Sequence, residues 1–149
     1  MGKNLNKLLN EQLKVLDSAA QVLRDSYSRV TPLLKKDEEL SVSEKESCEA
    51  LIARFARLSD FLFQKTFRTI DQIELVDEGT GIDRLNRMEK RGIIKSASLW
   101  RELRELRNQI AHDYLIEKSD AVLRDSHQQT PELLNTVDSL YRYINQKGY

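Results

Sequence analysis

Apolar residues recur at alternating steps of three and four along most of this chain, the period of a helix with one buried face. Leu5, Leu9, Leu13, Leu16, Ala20, Leu23, Tyr27 and Val30 form the first such stripe and predict one long amphipathic helix. Thr31-Pro32 follows, a pair that fits either an N-cap with proline at the first helical position or a kink after which Leu33 and Leu34 go on packing. Lys35 to Leu40 is a polar connection. Ser43-x-x-Glu46 has the form of a capping box before a second long helix. The buried stripe of that helix is Leu51, Phe55, Leu58, Leu62, Phe67, Ile70 and Ile73, and it should run to about Val76. Phe61 and Phe63 widen its apolar surface, so this helix is expected at the centre, touched from more than one side.

Asp77-Glu78-Gly79-Thr80-Gly81 breaks the pattern. Ile82, Leu85 and Met88 then make a short third helix, closed by Gly92 as a left-handed cap with Ile93 and Ile94 packing after it. Ser96 or Ser98 caps a fourth helix whose core stripe is Leu99, Leu103, Leu106 and Ile110. A last helical region covers roughly Ser119 to Asn145 with Leu133, Val137, Leu140, Tyr141 and Ile144 inward, and Thr130-Pro131 either starts or kinks its second half. Val22-Leu23-Arg24-Asp25-Ser26 returns as Val122-Leu123-Arg124-Asp125-Ser126, but the flanking residues do not align well enough to argue a duplication. The pattern predicts an all-α fold, an antiparallel bundle of four to five helices in a single domain over residues 1–149.

Composition agrees with a helical bundle: only 5 Gly and 2 Pro stand among 149 residues rich in good helix formers. Charge changes the picture more. Lys plus Arg and Asp plus Glu each number 24, so the chain is not a polycation built to coat nucleic acid, and any contact with phosphate must be local. Arg84, Arg87, Lys90, Arg91, Lys95, Arg101, Arg104 and Arg107 make one segment lean basic; a solvated surface with i,i+4 pairs such as Arg101 with Glu105 accounts for most of them. The single cysteine, Cys48, cannot form an internal disulfide and suits a small core position. Met-Gly-Lys-Asn-Leu-Asn-Lys lacks the apolar core of a signal peptide, and no run approaches the ~20 apolar residues of a membrane span. A cytoplasmic protein with no membrane partner is expected.

Candidate chemistry gathers at Arg107-Asn108-Gln109-Ile110-Ala111-His112-Asp113-Tyr114, where the pattern of the fourth helix runs out. On an ideal helix at ~100° per residue, Arg107 and His112 lie ~140° apart and cannot address one small group together. Either the helix unwinds after Ile110, or His112 of one chain faces Arg107 of another across a two-fold axis. Histidine titrates near neutrality and can take the proton from a ribose 2′-hydroxyl, while arginine stabilises charge building on phosphorus. Asn108 can add a hydrogen bond to phosphate, and Tyr114 can bond the substrate or serve as a modifiable hydroxyl. No catalytic metal or other cofactor is implied, because one motif histidine with scattered carboxylates is not a ligand set. Taken singly, the same residues fit blander roles: a histidine complementing a helix dipole, a snorkelling arginine, a core tyrosine. Asp60 stands beside the most apolar part of the second helix and wants a partner, for which Arg107 is the candidate; a solvated or intrahelically paired Asp60 is the alternative. His127 reads as an exposed polar residue.

Arg107-Asn108-x-x-Ala111-His112-x-Tyr114, preceded by Leu85-Asn86-Arg87-Met88-Glu89-Lys90-Arg91-Gly92-Ile93-Ile94 and by Arg54-Phe55-Ala56-Arg57-Leu58-Ser59-Asp60, resembles the HEPN superfamily. Within it the likeness is to HepT-type toxins encoded beside minimal nucleotidyltransferases, and it spans roughly Ser43 to Tyr114. The resemblance implies a homodimeric bundle in which Arg107 and His112 line a cleft between protomers and cleave RNA without metal. It also implies a cognate nucleotidyltransferase antitoxin that silences the toxin by attaching AMP to Tyr114, where added phosphate would repel RNA. Some relatives of this kind are substrate-binding partners of a nucleotidyltransferase and do no chemistry, so a non-catalytic partner subunit is the alternative expectation.

Overall fold

The computed structural model describes residues 2–112 and 119–149. The order is α1 (Gly2–Val30), a 3-10 turn (Thr31–Lys35), α2 (Val42–Asp60), a π-helical segment (Phe61–Thr66), α3 (Phe67–Ile73), α4 (Gly81–Lys90), α5 (Ala97–His112) and α6 (Ser119–Lys147). The fold is an all-α bundle, as the periodicity predicts.

Helix α2 with its π segment and α3 forms one nearly continuous rod against which α1, α5 and α6 all pack. Arg54 on α2 donates to Ser26 Oγ at 2.7 Å and to the Val22 carbonyl at 3.1 Å, clamping α1 to it. Phe67 and Trp100 meet with ring centroids 5.1 Å apart, and the Trp100 indole N–H donates to Thr136 Oγ1 at 3.0 Å, so α5 is fixed to α3 on one side and α6 on the other. Leu9, Leu16, Leu23, Leu51, Phe55, Leu58, Leu62, Phe67, Met88, Trp100, Leu103, Leu133 and Val137 are all sealed from solvent. At about 1.5–3 kcal/mol for each large apolar side chain, burial of these residues dominates the stability.

Several boundaries differ from the sequence expectation. The capping box before α2 is Ser41 with Glu44, two residues earlier than Ser43 with Glu46. Ser41 has the extended backbone an N-cap needs, and Lys36 holds the Glu44 carboxylate at 2.6 Å. Thr31-Pro32 opens a 3-10 turn, and Pro131 lies within an uninterrupted α6. The rod of α2, the π segment and α3 stops at Ile73, a little before the expected end near Val76, and Leu75 beyond it turns to φ 61°. Gly92 is the left-handed residue after α4 at φ 77°, and Ser96 accepts the Leu99 N–H at 3.2 Å as the cap of α5. On α5 the fully buried anchors are Trp100 and Leu103, while Leu99 and Ile110 are only half-buried.

Candidate functional site

Asp60 closes α2 at the point where the helix widens into the π segment. Its Oδ1 accepts two charged hydrogen bonds from α5, one from Arg107 Nε at 2.7 Å and one from Arg104 Nη1 at 2.8 Å. Arg104 and Arg107 are three residues apart and so share a helix face. Arg104 Nη1 also reaches Ser59 Oγ at 3.0 Å, and its guanidinium lies 4.6 Å from the Phe63 ring centroid. Burial opposes ionisation of Asp60, but the bonds from Arg107 and Arg104 outweigh it and hold the carboxyl below its ordinary range. The bond to Asp60 raises the Arg107 pKa in turn. Arg107 is gripped through Nε alone, and no described residue accepts from its two terminal nitrogens.

A second cluster sits behind this one. Asp71 is fully buried and receives Arg87 through Nε at 3.0 Å and Nη2 at 2.8 Å, Arg91 Nη1 at 2.7 Å, and Arg84 Nε at 3.5 Å. Arg91 Nε continues to Glu74 at 3.1 Å, and Glu74 also accepts from the Tyr143 and Tyr149 hydroxyls. Burial and then the Glu74 carboxylate raise the pKa of both phenols, that of Tyr149 to about 12. The basic lean of the sequence is therefore not mainly a solvated helix face. Arg84, Arg87, Arg91, Arg104 and Arg107 cross to carboxylates on the central rod, because a carboxylate buried there requires compensation from another element. Arg84 ties the two clusters together, donating to the Phe63 carbonyl at 3.3 Å with its guanidinium 5.4 Å from the Phe63 ring.

Of the residues singled out from sequence, Asp60 and Arg107 are brought together. Asn108 and His112 are exposed on the far side of the same helix. Helix α5 is regular through His112, so no unwinding after Ile110 turns the histidine toward Arg107. Tyr114 lies outside the described residues. The opposite flank of α5 borders α6 in an open groove of about 300 Å³ lined by Glu102, Glu105, Leu106, Gln109, Asp125 and Gln129. With three carboxylates on it, that groove is an unsuitable bed for phosphate. His127 is not the exposed polar residue expected: its ring stacks on Tyr27 with centroids 4.3 Å apart, and Nε2 lies 2.8 Å from Thr31 Oγ1. The Thr31 hydroxyl already donates to the Tyr27 carbonyl at 2.6 Å, so it accepts from Nε2–H, which fixes the tautomer of the ring.

Sequence reasoning assigned no site role to Arg104, named only as part of the basic segment, to Phe63, named only as apolar surface, or to Ser59. The available signal was the three-residue step from Arg104 to Arg107, which puts both guanidiniums over one carboxylate. Among the described residues no three of His, Cys, Asp and Glu are grouped to hold a metal ion, and no helix is long and apolar enough to cross a membrane. No family model matches the chain, and no curated protein matches it either.

Proposed function

We propose that the chain is a metal-independent endoribonuclease of the HEPN kind, the toxin of a pair whose antitoxin is a minimal nucleotidyltransferase. The observation that carries this reading is the state of Arg107: Asp60 fixes it through Nε, and no described residue takes up its fork of terminal donors, which suits that fork to a phosphodiester. His112 stands on the other face of the same regular helix, so a working pair takes Arg107 from one protomer and His112 from its partner. In the reaction His112 removes the proton of a ribose 2′-hydroxyl, O2′ bonds to phosphorus, the P–O5′ bond breaks, and the leaving 5′-oxygen takes a proton from water while His112 returns its own to solvent. The products are a 2′,3′-cyclic phosphate and a 5′-hydroxyl, and Arg107 stabilises the charge on the phosphoryl oxygens throughout. Asn108 adds a donor at the cleft, and Tyr114 is the hydroxyl the antitoxin modifies with AMP.

The purified chain should cut single-stranded RNA in excess EDTA and leave cyclic phosphate ends. Arg107→Ala and His112→Ala should each lower the rate at least a hundredfold with little change in melting temperature. Equal cutting by all three proteins, or by none, removes the assignment. A balanced formal charge favours a second reading, a non-catalytic partner subunit of the nucleotidyltransferase. That reading expects co-purification with the nucleotidyltransferase and no cutting. Intact mass of the co-expressed chain, with or without an AMP adduct lost in Tyr114→Phe, tests the modification.

A further inference from the structure

Asp60 carries one negative charge and faces two guanidiniums, and both donate to the same oxygen. With Arg107 alone, the carboxylate would make a neutral pair, well aimed but with little attraction left for an anion. With Arg104 present the cluster keeps one net positive charge. The two arginines are not equivalent within it. Arg104 is the inner one, 16% exposed and further held by Ser59 Oγ and the Phe63 ring, whereas Arg107 is 25% exposed and, among the described residues, held by Asp60 only. Phe63 is itself held: the guanidiniums of Arg84 and Arg104 lie 5.4 and 4.6 Å from its ring centroid, and its ring edge is close enough to Gly81 to leave no room for a side chain there.

We propose that Arg104 is a positioning and charge-compensating residue, which takes up the charge of Asp60 so that Asp60 aims Arg107 at a phosphodiester without cancelling it. The inference rests on the RNA-cleaving reading and adds to it a residue that need not touch RNA. Its signature is a dependence on charge count rather than on the guanidinium itself, because removing Asp60 together with Arg104 restores the net charge to that of the native cluster.

The test is binding of a labelled single-stranded oligoribonucleotide to the full chain, in a His112→Ala background that holds cleavage off, across a salt titration. Arg104→Gln should weaken binding about fivefold and flatten the salt slope by roughly 0.7 for the one phosphate charge no longer met. Arg104→Lys should stay within about twofold of the parent, and Asp60→Asn alone should tighten binding while slowing cleavage in the otherwise native chain. The deciding variant is Asp60→Asn/Arg104→Gln, expected to return to within about twofold of the parent. A double variant as weak as Arg104→Gln, which a direct contact or a purely structural arginine would give, overturns the proposal. So does Asp60→Asn binding more weakly than the parent, a check that holds even where Arg104→Gln folds poorly. Failure of the parent chain to bind RNA at all, with no cutting by the native chain, rejects the ribonuclease reading and this inference together. Binding by the parent with unchanged Arg104→Gln rejects only the inference.

Discussion

Asp71 is the residue on which most charge converges, and its position makes it the most sensitive single site in the fold. It has no exposed surface and meets Arg84, Arg87 and Arg91, so removing its carboxylate leaves several guanidiniums without their buried counter-ion. Asp71→Ala should cost about 3–5 kcal/mol in urea unfolding, a fall expected of a broken buried pair and not of a trimmed surface side chain. His127 gives the complementary case, a half-buried group that resists charging. Burial lowers its pKa from the ordinary 6.5, so the folded state binds the proton less readily than the unfolded chain. Its contribution is complete above pH ~6.5 and is lost as pH falls through the lower folded value. Between pH 7.5 and 5 the melting temperature should drop further for the native chain than for His127→Phe, which keeps a ring against Tyr27 and does not titrate. Parallel profiles would show that the Tyr27–His127 stack is not the source. His127 was illegible in the sequence because its neighbours, Ser126 and Gln128, are polar and its partners, Tyr27 and Thr31, are 100 and 96 positions away.

At the scale of elements, the sequence held more than its three-and-four periodicity conveys. The buried apolar stripe of the central rod steps 58, 62, 67, 70, and the five-residue step from Leu62 to Phe67 spans the π segment, whose closing bond runs from the Phe67 N–H to the Leu62 carbonyl. A regular α-helix would turn Phe67 off the core by that step; the extra residue in the widened turn brings it back against Trp100. Helix existence was thus readable from periodicity, whereas the π turn required attention to one irregular interval. Caps were legible in kind and not in place, since two Ser-x-x-Glu candidates stand two residues apart and only tertiary context selects one. Ser41→Ala should cost about 1 kcal/mol, near 3 °C for a chain of this size, while Ser43→Ala should leave the melt unchanged. Thermal unfolding of the two variants side by side measures the difference. The site was half legible for a similar reason. Asp60 announced itself as a carboxylate beside Phe61, Leu62 and Phe63, and Arg107 as a motif arginine, but Arg104 looked like one more charge on an exposed face until α5 was seen against the rod.

For the whole molecule, the regularity of α5 has the largest consequence. One chain offers Arg107 in a socket and His112 to solvent, so under the proposed ribonuclease function the working pair would be drawn from two chains. Arg107→Ala and His112→Ala proteins, each inactive alone, should regain part of the native rate when unfolded and refolded together. In such a mixed dimer one of the two clefts carries both native residues and the other neither. The expected ceiling is about one quarter of the native specific activity at equal mixing, because half of the dimers are mixed and each has one good cleft. No recovery on co-refolding, with mixed dimers shown to be present, would rule out a site shared between chains.

Trp100 offers an optical handle on this arrangement. It is the single tryptophan of the chain, fully buried, with its indole N–H on Thr136 and its ring against Phe67. Its emission should be blue-shifted and poorly quenched by iodide or acrylamide while α5 stays seated between α3 and α6. A red shift would report loss of that seat two turns upstream of Arg107, in any variant and without added label or substrate.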